Sequence, residues 1–140
     1  MKSMIISGAG AIGAGIAYIF GGWDASIITL LIFMGVDYLT GLVVAGVFHR
    51  STKTDSGALE SRAGWKGLVK KGVTLLFVVI AVRLDLLIGA NYIRDAVCIA
   101  FILNELISIV ENAGLMGIPI PGVITKAIEI LKHKESENHE

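Results

Sequence analysis

Two carboxyl side chains, Asp37 and Glu105, lie inside long apolar runs of this 140-residue chain, with Asn104 beside the second. Ionisable groups at membrane depth are costly and mark either a functional position or a buried pair. If the run holding Asp37 enters the membrane near Asp24, and the run holding Glu105 enters near Ile93 from the same side, helix rise carries both carboxyls roughly 18 to 20 Å inward. Asp37, Asn104 and Glu105 then share one level near the middle, a candidate polar seam that lines a pore or joins subunits. No basic residue is expected at that level. Arg83 sits near the outer end of its own run, where it can reach Asp85, Asp95 or the interface. The carboxyls must therefore be protonated, wetted or hydrogen-bonded between helices. A static version of the cluster would recruit Tyr38, Thr40 or Ser108.

Other chemistry finds no constellation in the sequence. His49, His133 and His139 stand in polar positions without metal-ligand spacing. Cys98 lies in an apolar segment with no basic neighbour to activate it, and no serine has a histidine and an acid that can be placed beside it. The expectation is a protein with no enzymatic activity, no metal and no cofactor. Gly8, Gly10 and Gly13 satisfy the GxGxxG pattern, but a dinucleotide site also needs a strand, a helix and an acidic residue about 20 positions on. The residues there are apolar. Small residues at spacing four read better as surfaces for close helix packing in lipid; Gly10, Ala11, Gly13, Gly15, Gly41 and Ala45 are the candidates. A secretory signal, with Lys2 as its basic region, is a weaker reading of the first run.

The elements that must position these groups follow from apolar length. Hydrophobic residues make up 54% of the chain and charged ones 17%, with 12 basic and 12 acidic side chains and a mean hydropathy of +0.75. Soluble domains are typically about 45 to 50% apolar and about 25% charged, so the composition is that of a membrane protein. It leaves no room for a separate soluble catalytic domain, and zero net charge gives no reason to expect a nucleic-acid partner. Four apolar stretches, 4–20, 25–48, 68–88 and 93–110, predict an all-α membrane protein of about four transmembrane helices in a single domain over 1–132. A three-span version is the alternative.

The connector between the second and third stretches carries Arg50, Lys53, Arg62 and Lys66 and runs into Lys70 and Lys71, with only Asp55 and Glu60 opposing them. Such a loop belongs in the cytoplasm. Both termini then lie on that side, Trp23 and Tyr92 mark the outer boundary, and Phe48 and Trp65 the inner one. Arg62, Lys66, Lys70 and Lys71 are expected at the inner interface. Pro119 and Pro121 stop the fourth helix. A short amphipathic helix follows over 123–131, in the headgroup layer, against a neighbour or in solvent, and 133–140 reads as a charged, fraying tail.

Three motifs in order carry a resemblance over about Asp24 to Leu131: Asp37-Tyr38-Leu39-Thr40-Gly41; Ser61 to Lys71; and Arg94 to Pro121, with Asn104-Glu105, Glu111-Asn112 and the Pro119/Pro121 pair. Together they resemble the toxin-secretion and phage-lysis holin family (holin family 4 type). The resemblance implies a small phage or prophage protein that accumulates in the bacterial cytoplasmic membrane, forms a homo-oligomer and opens timed lesions. Through these an endolysin, or in some relatives a toxin, leaves the cell and lysis follows. Membrane lipid and further copies of the chain are the implied partners; the exported cargo needs no direct contact. The family has no catalytic residues to carry over, so individual roles are expectations: Lys70 and Lys71 pin the third span against anionic lipid, and Glu111 and Asn112 end the fourth. Two other classes stay open, a small channel or transporter subunit and a membrane anchor for a cytoplasmic partner.

Overall fold

The computed structural model describes residues 1–138, and among them it is all-helical with no strand. Five helices follow in order: α1 (Lys2–Phe20), α2 (Ala25–Gly46), α3 (Ser61–Ile88), α4 (Ile93–Leu115) and α5 (Gly122–Glu137). Two of them, α1 and α2, are long and apolar enough to cross a membrane by length and composition. The charged residues that interrupt α3 and α4 prove to be the ones that organise the bundle.

Helix limits differ from apolar limits in ways that matter. α3 begins at Ser61 rather than at 68, so Arg62 and Lys66 sit on its exposed first turns and not in a loop. Apolar length locates the part of a helix that seeks hydrocarbon, whereas the backbone continues wherever good helix formers such as Arg, Ala and Lys allow. α4 likewise runs past Glu111 and Asn112 to Leu115. What stops it is Gly117 at φ 77°, with the Ile118 amide returning to the Ala113 carbonyl at 2.9 Å, a glycine-based helix stop. The last helix extends through 131 to Glu137, so most of the expected tail is helical; residues 139–140, His139 among them, lie outside the described residues.

α2 is the spine of the packing. Its buried side chains, Ile27, Leu30, Met34, Asp37 and Val44, recur at alternating steps of three and four once Gly41 is counted, which is the spacing that lays one stripe against a partner helix. The partner is α4, whose stripe is Arg94, Cys98, Ile102, Glu105 and Asn112. Ile27, Leu30, Met34, Val78, Cys98 and Ile102 form the apolar core. Large apolar side chains also remain outside: Leu76, Phe77, Ile80, Leu84 and Leu87 along α3, and Met4, Ile5, Ile12 and Ile19 along α1, which has no buried residue. An apolar surface this continuous belongs against lipid or another protein.

At one end of the bundle Arg94 ties three helices together. Its Nε donates to the Phe20 carbonyl at 2.6 Å, capping α1; Nη2 donates to the Gly22 carbonyl at 3.2 Å; and Nη1 pairs with Asp24 at 2.6 Å and Asp95 at 3.4 Å. Asp24 is meanwhile the N-cap of α2, accepting from the Ile27 amide at 3.1 Å. Asp85 accepts the backbone amides of Ile93 and Arg94 at 3.0 and 2.9 Å and so starts α4. The sequence reading offered Asp85 and Asp95 to Arg83; they serve Arg94 and the α4 terminus, and Arg83 is exposed. Gly21, at φ 80°, lies where a Cβ would stand 2.9 Å from Arg94 Nε, so the turn requires glycine on both counts.

The hydrogen bond from Arg94 to the Asp24 carboxyl holds its pKa below the ordinary aspartate value. A depressed carboxylate stabilises the fold above its unfolded pKa, and that contribution disappears as pH falls through the folded one. Asp24→Asn keeps a helix cap but loses the charge. In detergent, its thermal midpoint is expected below that of the parent chain at neutral pH, with the gap closing as the pH falls below the unfolded Asp value of about 3.9. A gap that is independent of pH would show that the ion pair contributes nothing.

Candidate functional site

Lys71 stands between the two carboxyls that the sequence left without a cation. Its Nζ lies 2.7 Å from Asp37 Oδ2 and 2.6 Å from Glu105 Oε2, and all three side chains are largely buried, at 15%, 7% and 8% relative exposure. The expectation that no basic group reaches this level is therefore corrected. So is the placement of Lys71 at the lipid headgroups, since it turns inward while Lys70, Arg62 and Lys66 remain exposed. The physical reason is the helix turn. Adjacent residues point about 100° apart on a helix, so only one of Lys70 and Lys71 can face the bundle, and four methylenes let its ammonium climb from the inner end of the apolar run.

The network continues through Asn112, read from the sequence as a helix stop. It is buried, and its Nδ2 lies 3.2 Å from both Asp37 Oδ1 and the Asp37 carbonyl and 2.8 Å from Thr40 Oγ1. Thr40 in turn donates to the Val36 carbonyl at 2.8 Å, one helical turn back. Asp37 thus receives Lys71 on one oxygen and Asn112 on the other. Among the described residues no buried side-chain nitrogen or oxygen lacks a partner. A spacing of seven, two helical turns, places Glu105 and Asn112 on one face of α4; that signal was available in the sequence and was obscured by treating Asn112 as a terminator.

Other candidate residues are distributed differently. Asn104 is exposed and lines the same cleft as Glu105 and Ser108. Glu111 is exposed. Ala45 is buried, and Gly41 faces Asn112, where a Cβ would meet Nδ2 at 3.8 Å, an ordinary contact distance. A Cβ added at Gly10, Gly13 or Gly15 would meet nothing within 4 Å, and Ala11 is exposed, so among the described residues no side chain fills the small-residue stripe of α1 on its glycine side. Trp23 donates to the Gly13 carbonyl at 3.2 Å. Pro121 is the N-cap of α5, and Pro119 lies in the turn before it. Cys98 is fully buried in the core.

Between α2 and α3 the triad opens onto a cleft of about 540 Å³, walled by Tyr38, Leu42, Leu59 and Val73. Tyr38 leans across it to donate to the Gly64 carbonyl at 3.3 Å. Two carboxylates and one ammonium, when all are ionised, leave one negative charge in excess at the bottom of this cleft. The arrangement offers ionic and hydrogen-bonding contacts between helices; among the described residues it presents no group of three metal-ligating side chains.

Removing one member should reveal the coupling. Lys71→Met leaves two buried carboxylates uncompensated and is expected to destabilise the detergent-solubilised protein by about 3 to 5 kcal/mol. The triple substitution Lys71→Met/Asp37→Asn/Glu105→Gln should recover most of that loss in denaturant unfolding, and strict additivity of the three would exclude a functional network. Asn112→Leu, which strands the Asp37 and Thr40 acceptors, is expected to cost about 1 to 3 kcal/mol.

The bacteriophage holin family matches residues 14–133, which include the triad, Asn112 and the Arg94 clasp. An uncharacterised protein of Clostridium perfringens strain 13 is 39% identical over 121 residues, 85% of this chain and 84% of its own length. An uncharacterised protein of Listeria monocytogenes is 39% identical over 129 residues, 91% of this chain and 86% of its own. A protein of Bacillus phage phi105 described as a probable holin is 32% identical over 124 residues, 87% of this chain and 82% of its own. No solved structure matches. Holins are not an enzyme family, and the extent of the match leaves one assignment: this chain belongs to the bacteriophage holin family.

Proposed function

We propose that the protein is a holin that assembles as a homo-oligomer in the bacterial cytoplasmic membrane and opens timed lesions, releasing an endolysin or a toxin without binding it. The observation that carries this reading is the family match across residues 14–133, joined by the probable holin among its relatives. The physical features agree with it. A polar triad is enclosed by helices whose outer faces are apolar, an arrangement that is stable while dry and can be hydrated without breaking a covalent bond.

In this reading four helices cross the membrane. α3 qualifies through its surface: Leu76, Phe77, Ile80, Leu84 and Leu87 are exposed apolar side chains that suit lipid, while its charged Lys71 is turned inward. α4 turns Arg94, Glu105 and Asn112 inward in the same way, while Asp95, Asn104 and Glu111 stay exposed. The exposed Arg62, Lys66 and Lys70 support a cytoplasmic α2–α3 connector, and in this reading the N-terminus and the α4–α5 turn share that side. The small-residue stripe of α1, unoccupied within the chain, is where copies of the protein meet. Opening corresponds to separation of α2 from α3 along the existing cleft, so that water replaces the Lys71 contacts to Asp37 and Glu105.

The test is controlled expression in a bacterium carrying a cytoplasmic reporter enzyme, with membrane potential, viability and reporter release followed over time. The expected result is a lag, then abrupt depolarisation with release. Asp37→Asn and Glu105→Gln, which weaken the triad's hold on Lys71, are expected to shorten the lag. Continued growth with intact potential and no release, despite verified membrane insertion, would overturn the holin reading in favour of an anchor or a gated transporter subunit.

A further inference from the structure

α5 is amphipathic, and it is not free in solvent. Ile128 and Leu131 are half-buried, whereas Lys126, Glu129, Lys132, Lys134 and Glu137 are exposed. The turn at Gly117 and the two prolines send the chain back on itself, and α5 packs along α4. Leu131 reaches the core cluster of Ile27, Leu30, Met34, Val78, Cys98 and Ile102. Counted from the α4–α5 turn, Cys98 and Ile102 lie beyond Glu105. By Leu131, nine residues on from Gly122, α5 has risen about 14 Å. The hairpin therefore brings the charged face of α5 to the depth of the triad and past it.

That depth conflicts with lipid. Charged side chains in hydrocarbon each carry a penalty larger than the gain from one apolar contact, and Ile128 and Leu131 cannot offset five of them. The molecule is nevertheless two-sided: the exposed faces of α1 and α3, which touch each other, are largely apolar, while the face presented by α5 on α4 carries Lys126, Glu129, Lys132 and Lys134 among exposed Val123 and Ile130. A chain with one lipid-compatible side and one water-compatible side at the same level is suited to the edge of an aqueous opening.

We propose that the α4–α5 hairpin is the water-facing wall of the lesion, with Lys126, Glu129 and Lys132 in contact with hydrated ions and Ile128 and Leu131 seated on the core. This rests on the lesion-forming reading above. In an intact bilayer the same helix has to leave α4 for the cytoplasmic interface, so docking of α5 is the first step of opening, and hydration of the still-paired triad follows it.

Two measurements on the full-length protein in vesicles and planar bilayers test it. Lys126→Glu/Lys132→Glu should raise the cation-to-anion permeability ratio at least about twofold at low ionic strength, where screening is weak. Nitroxides placed by Lys132→Cys and Tyr92→Cys, in a Cys98→Ala background, should lie within roughly 25 Å of each other in permeabilised vesicles, with the label at 132 exposed to a water-soluble relaxing agent; a label held at the opposite interface would be separated by about 30 Å or more of hydrocarbon. Permeable membranes with an unchanged ratio and a distance that spans the bilayer would overturn the hairpin wall and leave the holin reading standing. Absence of any permeability with the parent chain would remove both.

Discussion

A single ammonium shared by two carboxylates organises this bundle. Lys71 comes from α3, Asp37 from α2 and Glu105 from α4, so one group of three side chains fixes the mutual register of three helices. In lipid the usual driving force for helix association is missing, because hydrocarbon tails solvate leucine as well as another helix does. What remains is packing and polar contact. Individual interhelical hydrogen bonds in membranes are modest, but a charge shared among three helices cannot be abandoned piecemeal: loss of one partner leaves the others desolvated and unpaired. Asn112 and Thr40 extend the same constraint toward the inner end by occupying the second oxygen and the carbonyl of Asp37.

The opposite end is held by different physics. Arg94 is buried against a half-exposed Asp24, and their contacts serve mainly to satisfy helix termini: the Phe20 and Gly22 carbonyls, the Ile27 amide through Asp24, and the α4 amides through Asp85. This clasp fixes where helices begin and end, whereas the triad fixes how they lie against one another. α1 depends on the clasp most of all. It buries no residue of its own, and its last turn is held by the guanidinium. A helix anchored at one end and apolar throughout is free to exchange lipid contacts for contacts with another copy without disturbing the α2–α4 core.

Much of this was legible in the sequence, and the omissions have definite causes. Helical class followed from apolar length, and the shared depth of Asp37 and Glu105 from helix rise. Lys71 was hidden because Lys70-Lys71 looks like a flanking basic pair; the hydropathy of a window averages over the helix faces and cannot show that one of two adjacent lysines turns inward. Arg94 was hidden because nothing in a linear reading brings it to Phe20 and Asp24 on a different hairpin. Asn112 was misread because the nearby glycines and prolines made an earlier helix stop plausible, although its spacing of seven from Glu105 put both on one stripe. The α5 hairpin could not be read at all, since amphipathic periodicity shows that a face seeks apolar contact without showing whose.

The separation of roles bears on how such a protein can be both inert and disruptive. A bundle held by apolar packing alone has nothing to gain from water, and its opening would be opposed at every step. A bundle held by a desolvated triad has contacts that water can replace, so hydration offsets much of what separation of the helices costs. The barrier then resides in admitting the first waters to a cleft that is already present beside Tyr38 and Asn104. Once α2 and α3 part, each charged group can be solvated on its own helix. In the proposed assembly every copy contributes the same wettable seam, so the barrier to hydration is set in each copy by the placement of three side chains.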